Sequence, residues 1–133
     1  MKAADLRLGN YVFLDNMIKV HEIFEIRPPN MRVKYWRNDV ERQHISIVEL
    51  DRLKPIELTT DWLDKFNFET DQIMYWHKNF RGFFQLGYFA DGGFGLCAYG
   101  HLDRQLVNVK YVHQLQNLFY YINGKELIID NLK

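Results

Sequence analysis

The sequence predicts an α+β protein, and three observations predict it. Short runs rich in β-branched and aromatic residues recur at about ten-residue intervals between turn residues, the spacing of antiparallel strands. Two segments, 58–68 and 111–122, instead place apolar residues at helical spacing. Aromatic residues make up 16% of the chain, eight Tyr, ten Phe and three Trp, which suits strands and interfaces better than a helix bundle. Runs of strands interrupted by single helices belong to the α+β class.

LRLGNYVFL (6–14) reads as a first strand ending at the Asp15-Asn16 turn. MIKVHEIFEI (17–26) is a second, stopped by Pro28 and Pro29 in RPPN (27–30). MRVKYW (31–36) is a third, and after the turn RNDV the run ERQHISIVELDRL (41–53) reads as one further strand. A meander of four or five such strands must curl to bury its inner face, so a small SH3-like barrel is expected over residues 1–57. Residues 58–133 are expected to add an α-β-α layer within one domain, which a chain of 133 residues suits.

LTTDWLDKFNF (58–68) is the first predicted helix. Thr59 suits the N-cap, and Asp61 and Asp64 favour its positive N-terminal half. Trp62, Leu63 and Phe66 form its apolar side, Asn67 suits the left-handed position after the helix, and Phe68 can fold back over the last turn. QIMYWH, FRGFFQLGYFA, GFGLCAYG and RQLVNVK read as strands, with Asp91-Gly92-Gly93 as a hairpin signal. The second helix covers about 110–122 and ends at Asn123-Gly124. ELIID (126–130) reads as a last strand or as an arm against the sheet.

The charge pattern of the second helix is unusual. No Asp, Glu, Lys or Arg stands between Lys110 and Lys125. Tyr111, Val112, Leu115, Leu118, Phe119 and Ile122 fall on one side, and His113, Gln114, Gln116, Asn117, Tyr120 and Tyr121 on the other. A solvated helix face normally carries Glu and Lys, so an amide-and-phenol face points to contact with the chain's own sheet, a second copy or a partner protein.

Composition excludes several function classes. Lys plus Arg and Asp plus Glu number 17 each, so no basic field over the whole domain marks it for nucleic acid. The single cysteine, Cys97, leaves no internal disulfide and fits a reducing compartment. No apolar run approaches the roughly 20 residues of a membrane span, and MKAADLRLGN lacks the apolar core of a signal peptide. The expectation is a cytoplasmic protein without membrane association.

LRLGNYV (6–12), LTTDWLDKFNF (58–68) and YVHQLQNLFYYINGKEL (111–127) together carry a resemblance. The chain resembles a family of small uncharacterised proteins encoded in Bacteroidota genomes and their phages or prophages, whose members show LRxGN, LTxEWLxKFGF and YVHQLQNLYxxLTGxEL. It departs at Asn67, where Gly is usual, and at Ile122-Asn123, where Leu-Thr is usual. Both departures still suit a helix C-terminus. The resemblance implies a phage or mobile-element origin and brings no activity or catalytic residue.

Candidate chemistry is sparse. In the basic–aromatic segment RPPNMRVKYWR (27–37), Arg32, Lys34 and Trp36 share one strand face, with Arg37 following. Cations for phosphates beside a ring for stacking are how single-stranded nucleic acid is held. Glu22, Glu25, Asp39 and Glu41 are close enough in sequence to pair with these cations instead. Gly93-x-Gly95-x-x-Ala98 imitates a dinucleotide fingerprint, but a hairpin lacks the strand-to-helix turn that binds pyrophosphate. Cys97, His101 and His113 show no metal-ligand spacing. No cofactor, metal or catalytic residue is expected. The sequence therefore reads as a non-catalytic interaction module, binding a protein partner or itself through His113, Gln114, Gln116, Asn117, Tyr120 and Tyr121. The competing reading is nucleic-acid binding through Arg32, Lys34, Trp36 and Arg37.

Overall fold

The computed structural model describes residues 5–15, 20–27, 30–35, 45–71, 74–77, 84–89, 93–98 and 105–129. The N-terminal strands are β1 (Tyr11–Leu14), β2 (Val20–Arg27), β3 (Asn30–Tyr35), β4 (Ile45–Glu49) and β5 (Leu53–Lys54). They form one antiparallel sheet in the order β4-β3-β2-β1-β5. The register shifts between Ile23 and Glu25, a bulge of the kind that bends a strand. Leu6, Val12, Leu14, Ile23, Met31, Val33, Val48 and Leu53 form a buried cluster on this sheet.

The run 41–53, read from sequence as one strand, is broken. A 3-10 turn at Leu50–Arg52 separates β4 from β5, so that β5 returns to pair with β1 through Phe13↔Lys54 and Leu14↔Leu53. Contacts with the distant end of β1 hold that turn. Arg52 grips the Asp15 carboxylate through Nε at 3.0 Å and Nη2 at 2.6 Å, and the Asp15 N–H donates to the Arg52 carbonyl at 2.7 Å. Asp15 has φ 54, the left-handed region expected of a turn residue.

Helix α1 (Thr60–Lys65) starts at Thr59, whose backbone is extended as an N-cap requires although its hydroxyl makes no capping bond. Its end follows the sequence. Asn67 is left-handed at φ 65, the Phe68 N–H donates to the Leu63 carbonyl at 2.9 Å, and the Asn67 N–H donates to the Asp64 carbonyl at 3.0 Å. Phe68 is thereby folded back and buried.

The second sheet is an antiparallel meander in the order β10-β9-β8-β7-β6. Its strands are β6 (Glu69–Thr70), β7 (Met74–Trp76), β8 (Phe84–Phe89), β9 (Gly93–Ala98) and β10 (Gln105–Val109). The short β6 was not foreseen. The expected hairpin appears as Phe89↔Gly93 pairing, and Asp91 and Gly92 themselves lie outside the described residues. Helix α2 (Val112–Asn123) follows β10 and ends at Gly124, whose φ is 70 and whose N–H donates to the Tyr120 carbonyl at 2.7 Å. Segment 126–129 is an arm rather than a strand, with Leu127 and Ile129 buried. Both helices, the arm and the second sheet share a core that includes Trp62, Phe66, Leu86, Leu96, Leu115 and Phe119. Among the described residues, no helix is long and apolar enough to cross a membrane.

Candidate interaction site on the C-terminal helix

The N-terminal segment 5–11 lies against the uncharged side of α2. Gln116 is 1% exposed, and its amide is matched at both ends. Its Oε1 accepts from the Tyr11 N–H at 2.8 Å, and its Nε2 donates to the carbonyls of Gly9 at 3.0 Å and Leu127 at 3.3 Å. The side chain thus bonds the backbone of residues 9 and 11 as a neighbouring strand would. Only an amide offers both an acceptor and donors in this way.

Asn117 continues the seam one residue further on. Its Oδ1 accepts from Asn10 Nδ2 at 2.8 Å and from Arg7 Nη1 at 3.3 Å, while its Nδ2 donates to the Asp5 carbonyl at 2.8 Å. Asn10 is buried, and its own Oδ1 accepts from the Arg7 N–H at 2.6 Å. Arg7 also forms an ion pair with Glu126, and its guanidinium carbon lies 3.8 Å above the centre of the Tyr120 ring. Gly9 has φ 90, which an L side chain resists, and a Cβ there would come within 3.7 Å of Glu126 Oε2. LRLGN and the QN of QLQN, more than 100 residues apart, therefore form one hydrogen-bonded clasp.

The buried side of α2 is rotated from the one the apolar pattern marks. His113 and Gln116 are buried with Val112, Leu115 and Phe119, while Ile122 is exposed and Leu118 half-buried. The rotation follows from the clasp, which supplies the polar partners that Gln116 needs inside. Gln114 stays exposed but bends back to the helix start, where its Oε1 accepts from the N–H groups of Lys110 at 2.9 Å and Tyr111 at 3.0 Å. Tyr121 is 74% exposed, and its ring meets that of Tyr120 edge-on at 6.1 Å.

An open cleft of about 380 Å³ adjoins this face, lined by Asp5, Arg7, His113, Gln114, Asn117, Leu118 and Tyr121. His113 is 4% exposed, stacks on Tyr111 at 5.8 Å, and has a buried Nδ1 without a hydrogen-bond partner. Burial holds its imidazole below the usual histidine range. The Asp5 carboxylate opposes that effect, and the positive amino terminus adds to it.

The other sequence candidates are not gathered here. Arg32 is exposed on β3, with its Nε 3.0 Å from Glu25 Oε2. Lys34 stands opposite Glu22 in the β2–β3 register, and Arg32 opposite Glu25. Trp36, Arg37 and His101 lie outside the described residues. Cys97 is fully buried in β9, its thiol 3.9 Å from the Gly95 carbonyl. Among the described residues, no three His, Cys, Asp or Glu side chains gather as a metal site would need.

Sequence reasoning named the helix side of this site and missed Asp5, Arg7, Gly9, Asn10 and Glu126. The available signal was the presence of Arg7, Gly9 and Asn10 in LRLGN and of Glu126 in KEL; Asp5 lies just before the first of these. No protein-family model, curated protein or solved structure matches the chain.

Proposed function

We propose that the chain is a non-catalytic protein-interaction module that docks a partner protein on the exposed part of α2. The observation that carries this reading is Tyr121. It is 74% exposed, lies edge-on to the Tyr120 ring, and lines the cleft. An exposed tyrosine beside a second ring presents a large amphipathic surface, the character of residues that dominate interfaces. Gln116 and Asn117 hold the N-terminal segment, so the docking surface narrows to Gln114, Tyr120 and Tyr121 with the cleft behind them.

The N-terminal sheet supports an SH3-like reading, since a meander, a 3-10 turn and a last strand returning to β1 are the connections of a small barrel. Taken with the family resemblance, the module is of phage or mobile-element origin and modulates a host protein. For nucleic acid the support is weaker, because Glu25 pairs with Arg32 and offsets its charge.

The test is capture of partners by the wild type and by Tyr121→Ala, with solution mass measured alongside for self-association. The variant should keep its stability within about 0.5 kcal/mol, as an exposed substitution does, and lose about tenfold or more in partner affinity. Equal retention by the two proteins would remove the reading.

A further inference from the structure

We propose that the cleft beside α2 receives an arginine side chain of the partner, its guanidinium seated between the Asp5 carboxylate and the Tyr121 ring. This rests on the reading of α2 as the docking surface and names what the partner presents to it. Charge complementarity is the first support. Two formally charged side chains, Asp5 and Arg7, are among the described residues lining the cleft, and Arg7 is already paired with Glu126. Among the described residues, the Asp5 carboxylate has no ion-pair or hydrogen-bond partner.

Ring chemistry is the second support. The chain's own Arg7 guanidinium lies 3.8 Å over Tyr120, so this pair of tyrosines accommodates a planar cation. Tyr121 offers the same kind of face, but its ring stands 6.0 Å from Arg7 and is largely open to solvent. Hydrogen-bond inventory is the third. Among the described residues Asp5 is an acceptor without a donor, while a guanidinium brings five N–H donors and no acceptor. Asn117 makes no competing demand, since both ends of its amide are already bonded. The volume of about 380 Å³ lies at the lower end of the range for small-ligand clefts, enough for an arginine side chain.

The probe is N-acetyl-arginine amide, titrated into the full chain against its neutral isostere N-acetyl-citrulline amide, with NMR of the Tyr121 ring and the His113 imidazole as readout. Arginine should bind about threefold or more tighter than citrulline, the scale of a solvent-exposed cation–ring contact assisted by a surface carboxylate. Asp5→Asn and Tyr121→Ala should each reduce that preference. Both substitutions are at exposed positions and spare the core. Equal binding of the two probes, silence at Tyr121 and His113, or a preference left unchanged by Asp5→Asn would overturn the proposal. If the probe fails while Tyr121→Ala still loses the partner, the docking surface stands and the guanidinium assignment falls.

Discussion

Gln116 occupies a position that an apolar residue would fill on a simpler helix. Its removal strands the Tyr11 N–H and the Gly9 and Leu127 carbonyls as well as leaving a hole. Gln116→Ala should therefore cost about 3 kcal/mol in urea unfolding, within the range for orphaned buried polar groups. Gln116→Glu should cost at least as much, because a carboxylate cannot donate to the two carbonyls. His113 gives a pH dependence of known sign. Its folded pKa is depressed by burial, so the unfolded chain binds its proton more readily. Its contribution to stability is complete above the unfolded pKa of about 6.5 and is lost as pH falls from there through the folded value. Subtracting the stability–pH curve of His113→Gln from that of the wild type should isolate this acid-side loss, and parallel curves would contradict it. The helical pattern exposed both residues as odd members of an uncharged strip. It could not say that they face inward, because the groups that satisfy Gln116 at residues 9 and 11 lie more than 100 positions away.

At the scale of elements, helix ends were the most legible features because their determinants are local. Asn67 and Gly124 both take left-handed conformations at the ends where the sequence places them. Gly124→Ala should destabilise the protein by about 1 kcal/mol, the cost of a Cβ at a left-handed cap. Thermal unfolding checks this, and no Cβ contact would contribute, since nothing lies within 4 Å of that position. Strand ends were less legible. The 41–53 run looks continuous, yet Arg52 binding to Asp15 stops it at a 3-10 turn and sends β5 to β1. Likewise 6–10 is not strand. Its backbone turns at Gly9 and is bonded by α2 side chains, a choice made by non-local partners.

Across the whole molecule, β1 joins the two cores. Tyr11 belongs to the cluster under the helices and Phe13 packs against it, whereas Val12 and Leu14 belong to the cluster of the N-terminal sheet. Alternation along a strand places successive side chains on opposite faces, so one short strand forms a wall of both. The Tyr11 hydroxyl also accepts from the Ile129 N–H at 3.3 Å, tying the C-terminal arm to the same strand. The chain should consequently unfold in a single transition. Hydrogen exchange at Ile23 and Val33 should report the same opening free energy as exchange at Leu86 and Leu115. Gln116→Ala should lower both together, and two separated transitions would show that the clasp does not couple the halves.

The sequence by itself determined the class of the fold, the helix ends, the strand-rich character and the uncharged strip, because each depends on neighbours within a few residues. Tertiary structure decided the rest. It set which side of α2 is buried, where β4 ends, and that LRLGN and QLQN meet, since each of these depends on hydrogen bonds whose partners are remote along the chain. The strip that looked like one recognition face is therefore divided: Gln116 and Asn117 close the fold, and Tyr121 with the cleft beside it remains turned outward.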